Sequence, residues 1–221
     1  MIRILNYSIE KKLEYDGNVI LIYNIQYPHI SGMECNVQSK NFNIYNRTKA
    51  LNLQARSEGE LFEEAKRLYE YNKQNGYPIM TYEIYLTYQV TFNNNEIVSL
   101  YTDQYEYAGG AHGNTIRESQ NWNLRLGTLI PLSCFYKNNP SYVLDIIREI
   151  NKQIKEQIEA GNDYYFENYC SLVVETLNLN NYYLIPGYIV IFFQQYDIAP
   201  YSTGIPTFKI KNSNPMNWFL R

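Results

Sequence analysis

The segment from Tyr105 to Asn114 holds the residue types of this chain that are best suited to chemistry. It reads Tyr-Glu-Tyr-Ala-Gly-Gly-Ala-His-Gly-Asn and places His112, one of only two histidines, among three glycines. Glycine lets a backbone approach another group closely, and imidazole exchanges protons near neutral pH. The pattern indicates either a catalytic or binding histidine or a strand-ending turn in which the imidazole forms a local hydrogen bond.

Hydrolysis by two carboxylates is a further option, because it leaves no local signature in a sequence. Asp103 and Glu106 precede His112, and strand alternation puts Asp103 on the same face as Tyr105 and Tyr107. An enzyme hypothesis therefore assigns catalysis to His112 with Asp103 and Glu106.

The sequence lacks the patterns that indicate a zinc site, a phosphate-binding loop or a serine nucleophile. A zinc site needs three or four ligands, and His29, the other histidine, has no partner at helical spacing. The chain contains no phosphate-binding glycine loop and no Gly-x-Ser-x-Gly elbow. We therefore expect no metal and no cofactor.

The three cysteines, Cys35, Cys134 and Cys170, are odd in number and unevenly spaced. This pattern fits neither a disulfide framework nor a zinc knuckle, so we expect reduced, mostly buried thiols. One disulfide with one free thiol is the alternative if a signal or anchor had been removed.

Composition and charge narrow the choice of partner. The 221 residues carry 19 Lys and Arg against 22 Asp and Glu, and a net charge of -3 provides no basic field for nucleic acid. With 24 tyrosines beside 27 asparagines, some tyrosine rings must reach the surface, where amphipathic rings suit recognition. A binding surface is favoured, although a codon bias would give the same composition.

The first residues contain no apolar run typical of a secretory signal, and no stretch approaches the roughly 18 apolar residues that span a bilayer. We therefore expect a cytoplasmic protein with no membrane span. If the start had been trimmed, the cell envelope is the alternative location.

Period-two alternation predicts two hairpins. Asp16-Gly17-Asn18 and Asn93-Asn94-Asn95 supply the turns, and Pro28 is expected to end the second strand. The four predicted strands are residues 2–15, 19–27, 82–92 and 97–107.

Helical periodicity between the hairpins predicts a weaker helix at about 39–55 and a stronger one at about 58–74. Ser57 and Glu60 resemble a capping box at the start of the second helix.

The second half of the chain alternates short strands with helices. Asn139 and Pro140 are expected to start a helix that Gly161 ends, with Val143, Ile147, Ile150, Ile154 and Ile158 buried. A further helix would bury Phe166, Cys170, Val173, Val174 and Leu177, and the tail carrying Trp218 and Phe219 would dock on the body. The remaining predicted elements are a helix at about 163–177 and strands at 128–132, 188–196 and 207–210.

Locally paired strands around segregated helices predict an α+β fold with antiparallel sheets and helices packed on one side. We expect two subdomains, residues 1–113 and 114–221.

The run from Tyr196 to Gly204 leaves the last long strand. Pro200 removes a backbone donor and stiffens the loop, so Tyr201 would be presented at low entropic cost. Rigid exposed tyrosine is a common interface anchor. The alternative is that Tyr201 packs against the end of the sheet.

Two motifs, Tyr-x-Gly-Gly-Ala-His at 107–112 and Tyr-x-Ile-x-Pro-Tyr at 196–201, are specific in combination. Together with the segments 126–132 and 185–204 they resemble a bacterial family of paired domains of unknown function. The family is best known from the extracellular part of a lysozyme-binding anti-sigma factor, and similar domains precede a peptidoglycan deacetylase domain. Ser202 and Thr203 stand where the family usually has smaller residues.

The resemblance implies a non-enzymatic binding module whose ligand is a lysozyme-like protein or a cell-wall glycan such as a peptidoglycan fragment. Neither anti-sigma activity nor deacetylation is carried over, because the sequence shows no sigma-binding segment, transmembrane helix or deacetylase domain. An envelope-polysaccharide hydrolase or esterase using His112 is the rival, and a purely structural protein is a third alternative. The candidate ligand-binding residues are Tyr105, Tyr107, His112, Tyr196, Pro200 and Tyr201.

Overall fold

A computed structural model describes residues 2–32, 37–162 and 164–211. Within these ranges the strands form a sheet of order β1-β2-β3-β4-β5-β6 and a second sheet of order β7-β8-β9. The strands are β1 (Arg3–Tyr15), β2 (Asn18–Ser31), β3 (Tyr82–Asn93), β4 (Ile97–Tyr107), β5 (Asn114–Asn123), β6 (Thr128–Leu129), β7 (Tyr182–Ile185), β8 (Tyr188–Phe192) and β9 (Thr207–Lys211). The α-helices are α1 (Val37–Arg56), α2 (Phe62–Asn75), α3 (Tyr142–Glu159) and α4 (Tyr169–Thr176).

The chain divides into two compact units. Unit 1 comprises Met1–Gln89, Thr102–Ile116 and Leu124–Thr128, and unit 2 comprises Val90–Tyr101, Arg117–Asn123 and Leu129–Arg221. Each unit combines strands with helices and has its own apolar core. The predicted α+β class with antiparallel sheets is confirmed, whereas the predicted boundary after Gly113 stays a prediction.

The first hairpin forms as predicted. Asp16 and Gly17 both have positive φ, 49° and 73°, which suits the tight turn between β1 and β2. β2 nevertheless continues past Pro28 to Ser31, so the expected strand end is wrong. On β2, the pairing with β3 covers only Leu21–Ile25, and beyond that segment no strand among the described residues is paired with this edge of β2. Proline lacks an N–H donor and is tolerated at such an edge.

A helix side chain covers the open edge of β2. The Ile30 N–H donates to Asn43 Oδ1 at 2.8 Å, and Asn43 Nδ2 donates to Ile30 O at 3.0 Å. One amide on α1 therefore satisfies both backbone groups of Ile30, as a neighbouring strand would do.

The pairing of β2 with β3 is parallel, which the two predicted hairpins did not indicate. The helices α1 and α2 lie between these strands in the chain and form the crossover that a parallel pair requires. Unit 1 buries residues of β2, β3 and the helical segment, namely Ile20, Leu21, Tyr23, Ile25, Ala50, Leu53, Leu61, Ala65, Tyr69, Tyr82, Ile84 and Leu86.

The predicted helix at about 39–55 is confirmed, but the capping box at Ser57 is wrong. A π-helical turn, Ser57–Leu61, joins α1 to α2, so helix precedes Ser57 instead of starting there. Ser57 is fully buried, and its Oγ donates to Leu53 O at 2.8 Å. A capping role needs a non-helical backbone at the first residue, which the preceding α1 excludes.

The π-helical turn carries a cluster of polar contacts to the first hairpin. Glu58 Oε1 accepts hydrogen bonds from the Tyr23 hydroxyl at 2.5 Å and from Lys11 Nζ at 3.1 Å. These donors hold the pKa of Glu58 below its usual value, the Tyr23 hydroxyl contributing most. Burial, followed by the Glu58 carboxylate, raises the pKa of Tyr23 to about 12.

In unit 2, β8 pairs with β7 and β9 in antiparallel fashion. The residues from Ile189 to Phe193 are buried as predicted, although the strand ends at Phe192 and not at Tyr196. Neither β5 nor β7 was predicted. Most of β5 is polar, so its sequence lacks the alternation of apolar residues that indicates a strand.

The helices of unit 2 differ from expectation at their ends. α3 begins at Tyr142, because Asn139 Oδ1 accepts the Ser141 N–H and forms a turn before the helix. Its fully buried residues are Ile146, Ile150 and Ile154. α4 is shorter than predicted and buries only Val173 completely.

Two residues of α4, Cys170 and Val174, are exposed, so the predicted inward orientation is wrong for both. Cys134 is half-buried, and both thiols are free. Cys35, Trp218 and Phe219 lie outside the described residues. No helix in the part of the chain that the structure describes is long and apolar enough to cross a membrane.

Candidate functional site

The glycine-rich segment forms the turn that follows β4 in unit 1. Gly109 and Gly110 have positive φ, 86° and 100°, which side chains rarely tolerate. The Tyr107 hydroxyl donates to Gly110 O at 3.0 Å, so the last residue of the strand fixes the turn. Two of the three glycines are thus explained by backbone conformation.

Gly113 is required for a different reason, which is close packing. A Cβ at this position would overlap Cε2 and Cζ of the Tyr105 ring. That ring also stacks on Tyr85, with 6.0 Å between the ring centroids. Tyr105 is therefore half-buried between another ring and the glycine backbone, with limited surface for a ligand.

His112 is exposed at the tip of this turn, and its Nδ1 lies 2.9 Å from Gly113 O. Since a carbonyl only accepts hydrogen bonds, Nδ1 is the donor in this contact. The structure therefore contains the local imidazole hydrogen bond that the strand-ending turn predicts for His112.

The structure pairs Glu106 with an arginine. Arg56 of α1 donates to both carboxylate oxygens, from Nη1 at 2.6 Å and Nη2 at 3.1 Å. The two side chains are 37% and 26% exposed, and the Glu106 carboxylate raises the pKa of Arg56. Asp103 is half-buried on the same strand. Glu106, one of the two predicted catalytic carboxylates, therefore uses both of its oxygens in an ion pair with Arg56.

A pocket of about 400 Å³ opens beside the glycine turn. One side is lined by Ala108, Gly109 and Gly110, which follow β4. The opposite wall comes from the last two turns of α2 and from the extended chain leading to β3. The lining residues on that side are Leu68, Asn72, Tyr77, Pro78 and Met80.

The end of α2 shapes the pocket through its backbone. Gly76 adopts a left-handed conformation, and Asn72 O accepts the Gly76 and Tyr77 N–H groups, the latter at 2.9 Å. Asn72 Nδ2 donates to Pro78 O at 3.0 Å, which holds the extended chain against the helix. The pocket is therefore bounded by a capped helix and a fixed turn.

Two tyrosines stand at the surface where α2 ends. The side chains of Tyr71 and Tyr77 are 57% and 55% exposed, and their ring centroids are 6.0 Å apart. Tyr77 belongs to the pocket lining as well. Apolar walls next to exposed amphipathic rings are typical of small-molecule sites.

The second predicted region lies in unit 2. Tyr196 has a positive φ of 68° and is 52% exposed, and its ring centroid lies 5.8 Å from that of Tyr201. Tyr201 begins a short 3₁₀ turn, Tyr201–Thr203, and is half-buried, while Pro200 is exposed. The structure therefore brings Tyr196 and Tyr201 together.

The loop that presents these tyrosines is held by polar contacts. Asp197 Oδ2 accepts the Gln194 N–H at 2.7 Å, and burial raises the pKa of Asp197. The Gln194 side chain exchanges two hydrogen bonds with the backbone of Arg117. Thr203 Oγ1 donates to Tyr164 O at 3.1 Å.

Sequence reasoning missed most of the pocket. The apolar residues Leu68, Pro78 and Met80 are typical of a core, and the lining residues that the sequence singled out are those of the glycine motif, Ala108, Gly109 and Gly110. Their common role depends on the packing of α2 beside the end of β4, which no local pattern encodes. In the ranges that the structure describes, no three His, Cys, Asp or Glu side chains come together in a way that would hold a metal ion.

Two family models match successive parts of the chain. Residues 14–115 match the family described as Deacetylase PdaC, and residues 135–213 match a family of proteins of unknown function, DUF3298. A curated relative, the peptidoglycan-N-acetylmuramic acid deacetylase PdaC of Bacillus subtilis, is 21% identical over 132 residues. That match covers 59% of this chain and 28% of the relative, so the chain spans under a third of the relative's length.

Solved structures share the fold. A DUF3298 family member from Bacteroides fragilis superimposes with a TM-score of 0.69 at 18% identity, covering 95% of this chain and 90% of that one. A DUF3298 family protein from Pseudomonas aeruginosa gives a TM-score of 0.54 at 17% identity, with coverage of 95% and 91%.

Proposed function

Because the chain carries a PdaC-like domain followed by a DUF3298 domain, we propose that it is a non-enzymatic binding module of the cell wall and that its ligand is a peptidoglycan glycan chain. The ligand class comes from the relative, which is named for peptidoglycan. The match covers only 28% of that relative, so its deacetylase activity is not part of the proposal.

The observation that carries the proposal is the position of the glycine-rich motif. Ala108, Gly109 and Gly110 line the pocket together with the exposed Tyr77, whose ring centroid lies 6.0 Å from that of the exposed Tyr71. A pocket lined by apolar residues and an exposed tyrosine supports recognition of a ligand that has both apolar and polar faces, as a sugar does.

The contacts of Glu106 favour binding over hydrolysis. A general acid or base must exchange a proton with the substrate, and both oxygens of this carboxylate accept hydrogen bonds from Arg56. The imidazole of His112 is bonded to the backbone of its own turn. These contacts support a structural use of the groups that the enzyme hypothesis requires.

Sedimentation with insoluble peptidoglycan, followed by calorimetric titration with soluble peptidoglycan fragments, tests the proposal. We expect binding to both, with no release of acetate or shorter glycans over the incubation. Lysozyme, the protein ligand implied by the resemblance, is titrated in parallel. Binding to lysozyme with none to peptidoglycan would overturn the proposed ligand, and released product would overturn the non-enzymatic role.

A cell-wall ligand requires a location in the cell envelope. Mass spectrometry of envelope, medium and cytosolic fractions tests this part of the proposal. Recovery in the envelope fraction is expected, whereas recovery mainly from the cytosol would contradict it and favour the location first expected from the sequence.

A further inference from the structure

We infer that the pocket between α2 and the glycine turn binds the acetamido group of an N-acetylated amino sugar. The inference rests on the proposed function, since it names the part of a peptidoglycan glycan that this site would recognise. An acetamido group presents a methyl, an N–H and a carbonyl oxygen, so a matching site needs apolar walls and a polar group beside them.

The dimensions and walls of the pocket fit such a group. Its volume of about 400 Å³ lies within the range of small-molecule sites and exceeds what one ordered water needs. Leu68, Pro78, Met80 and Ala108 supply apolar surface. A methyl group placed against them would leave water, which is favourable because apolar surface is buried.

Asn72 supplies the polar group. It is 6% exposed and lines the pocket, and its Nδ2 is committed to Pro78 O. The amide orientation is fixed by that bond, and Oδ1 is the atom that the side chain offers as an acceptor. An acceptor on a mostly buried side chain, next to apolar walls, selects a ligand with an N–H group over one without it.

The tyrosines would contact the sugar ring. Tyr77 lines the pocket, and the Tyr71 ring lies beside it with 6.0 Å between the centroids. A pyranose carries its C–H groups on one face, and such a face packs well on an aromatic ring while the hydroxyl groups stay in water. The pair therefore suits a sugar whose acetamido group enters the pocket.

Gly109 allows this wall to form. A Cβ there would lie 3.1 Å from Leu68 Cδ2, and its φ of 86° is unfavourable for other residues. The glycine backbone thus approaches α2 more closely than a side chain would permit. The glycine-rich motif therefore helps to determine the shape of the pocket.

The test replaces Ala108 by tryptophan. Ala108 is exposed at the rim, so Ala108→Trp would fill the pocket without disturbing the core. Ala111→Trp is the matched control, because Ala111 is exposed in the same turn and does not line the pocket. The probes are soluble peptidoglycan fragments, the trimer of N-acetylglucosamine and the same trimer without its acetyl groups.

We expect wild type and Ala111→Trp to bind the two acetylated probes equally, and Ala108→Trp to bind them about tenfold more weakly or worse. The deacetylated trimer should bind wild type about tenfold more weakly than the acetylated one. Unchanged binding by Ala108→Trp would overturn the inference and leave the proposed function standing. Failure of wild type to bind any peptidoglycan would overturn both.

A second pair of variants covers the case in which Ala108→Trp fails to fold. Tyr77→Ala removes an exposed ring from the pocket lining, and Tyr164→Ala removes a ring of similar exposure in unit 2. Both should keep the wild-type melting temperature. Weaker binding by Tyr77→Ala alone supports the site, and equal binding by the two variants contradicts it.

Discussion

At the scale of single residues, Glu58 links the π-helical turn to the first hairpin. Tyr23, Lys11 and Gln54 all donate hydrogen bonds to its Oε1. The carboxylate side chain is 33% exposed, so solvent weakens each contact. The donors still favour the ionised form, which makes the stability of unit 1 dependent on pH.

We predict that Glu58→Gln removes part of this pH dependence. A carboxyl whose folded pKa is lowered stabilises the protein above its unfolded pKa, and the contribution is lost as pH falls through the folded value. The variant should be less stable than wild type by about 1 kcal/mol at pH 7, and the difference should shrink at pH 3. Urea unfolding at both values measures the difference.

Glu63→Gln is the control for that prediction, because Glu63 is 60% exposed and pairs with Lys66 on the surface of α2. Its effect should be small at both pH values. An equal loss for Glu58→Gln at pH 3 and pH 7 would show that the charge of Glu58 is not what stabilises the fold.

Gly113 permits a second prediction, which concerns packing. Gly113→Ala forces the Tyr105 ring to move, because the added Cβ would overlap it. Overpacking of this kind costs about 1–3 kcal/mol. Gly59→Ala is the matched change, since no atom lies within 4 Å of a Cβ at that position. It should be neutral or stabilising by up to about 1 kcal/mol. Similar melting temperatures for the two variants would contradict the structural account of Gly113.

At the scale of secondary structure, a side chain completes the sheet. Asn43 takes the place of a neighbouring strand at Ile30, since one amide both accepts from and donates to the same backbone unit. Ile30 is buried, so water does not readily replace these bonds. On the edge of β2 that faces away from β1, Ile30 therefore depends on α1 for its backbone hydrogen bonds.

We predict that Asn43→Ala destabilises the protein by about 2–3 kcal/mol, because two backbone groups lose their partner. Asn43→Asp keeps the acceptor for the Ile30 N–H but sets a carboxylate oxygen against Ile30 O, so it should also be destabilising. Asn52→Ala on the exposed side of α1 is the control and should change stability by less than about 0.5 kcal/mol. Thermal unfolding of the three variants ranks them, and the reverse order for Asn43→Ala and Asn52→Ala would reject this role.

Elements with strong local patterns were predictable, and those that depend on distant partners were not. The β3–β4 hairpin shows sustained alternation and a turn-forming segment, and both strands form. β5 was missed because its buried end consists of Gln120, Asn121, Trp122 and Asn123, which satisfy their polar groups only in the folded sheet. The π-helical turn was mistaken for a helix start because Ser57 bonds to a carbonyl four residues back, a contact no spacing rule distinguishes from a cap.

The candidate site also contains one part that was predictable from a local pattern and one part that was not. The glycine motif was identified from its composition, and the structure explains Gly109, Gly110 and Gly113 by conformation and packing. The opposite wall was not identified, because Leu68 and Asn72 are ordinary residues for a helix. Two segments that are distant in the sequence line this pocket, so the pattern of one segment identifies only the residues on its own side.

At the scale of the whole molecule, backbone protection should follow burial. β8 is buried from Ile189 to Phe192 and is paired on both sides, whereas β1 is mostly exposed and is paired on one side. We predict that native-state hydrogen exchange is slowest in β8 and in the Ile20–Ile25 segment of β2, and fastest among the strands in β1. Mass spectrometry of exchanged peptides measures this order, and a β1 as protected as β8 would contradict it.

β1 also bears on how copies of the protein behave in concentrated solution. It is a long strand at the margin of its sheet, and such a strand offers unpaired backbone groups to any other chain. Five of its exposed side chains are charged, namely Arg3, Glu10, Lys11, Lys12 and Glu14. An approaching strand would have to strip water from these charges, so the outermost strand discourages aggregation and fibril growth.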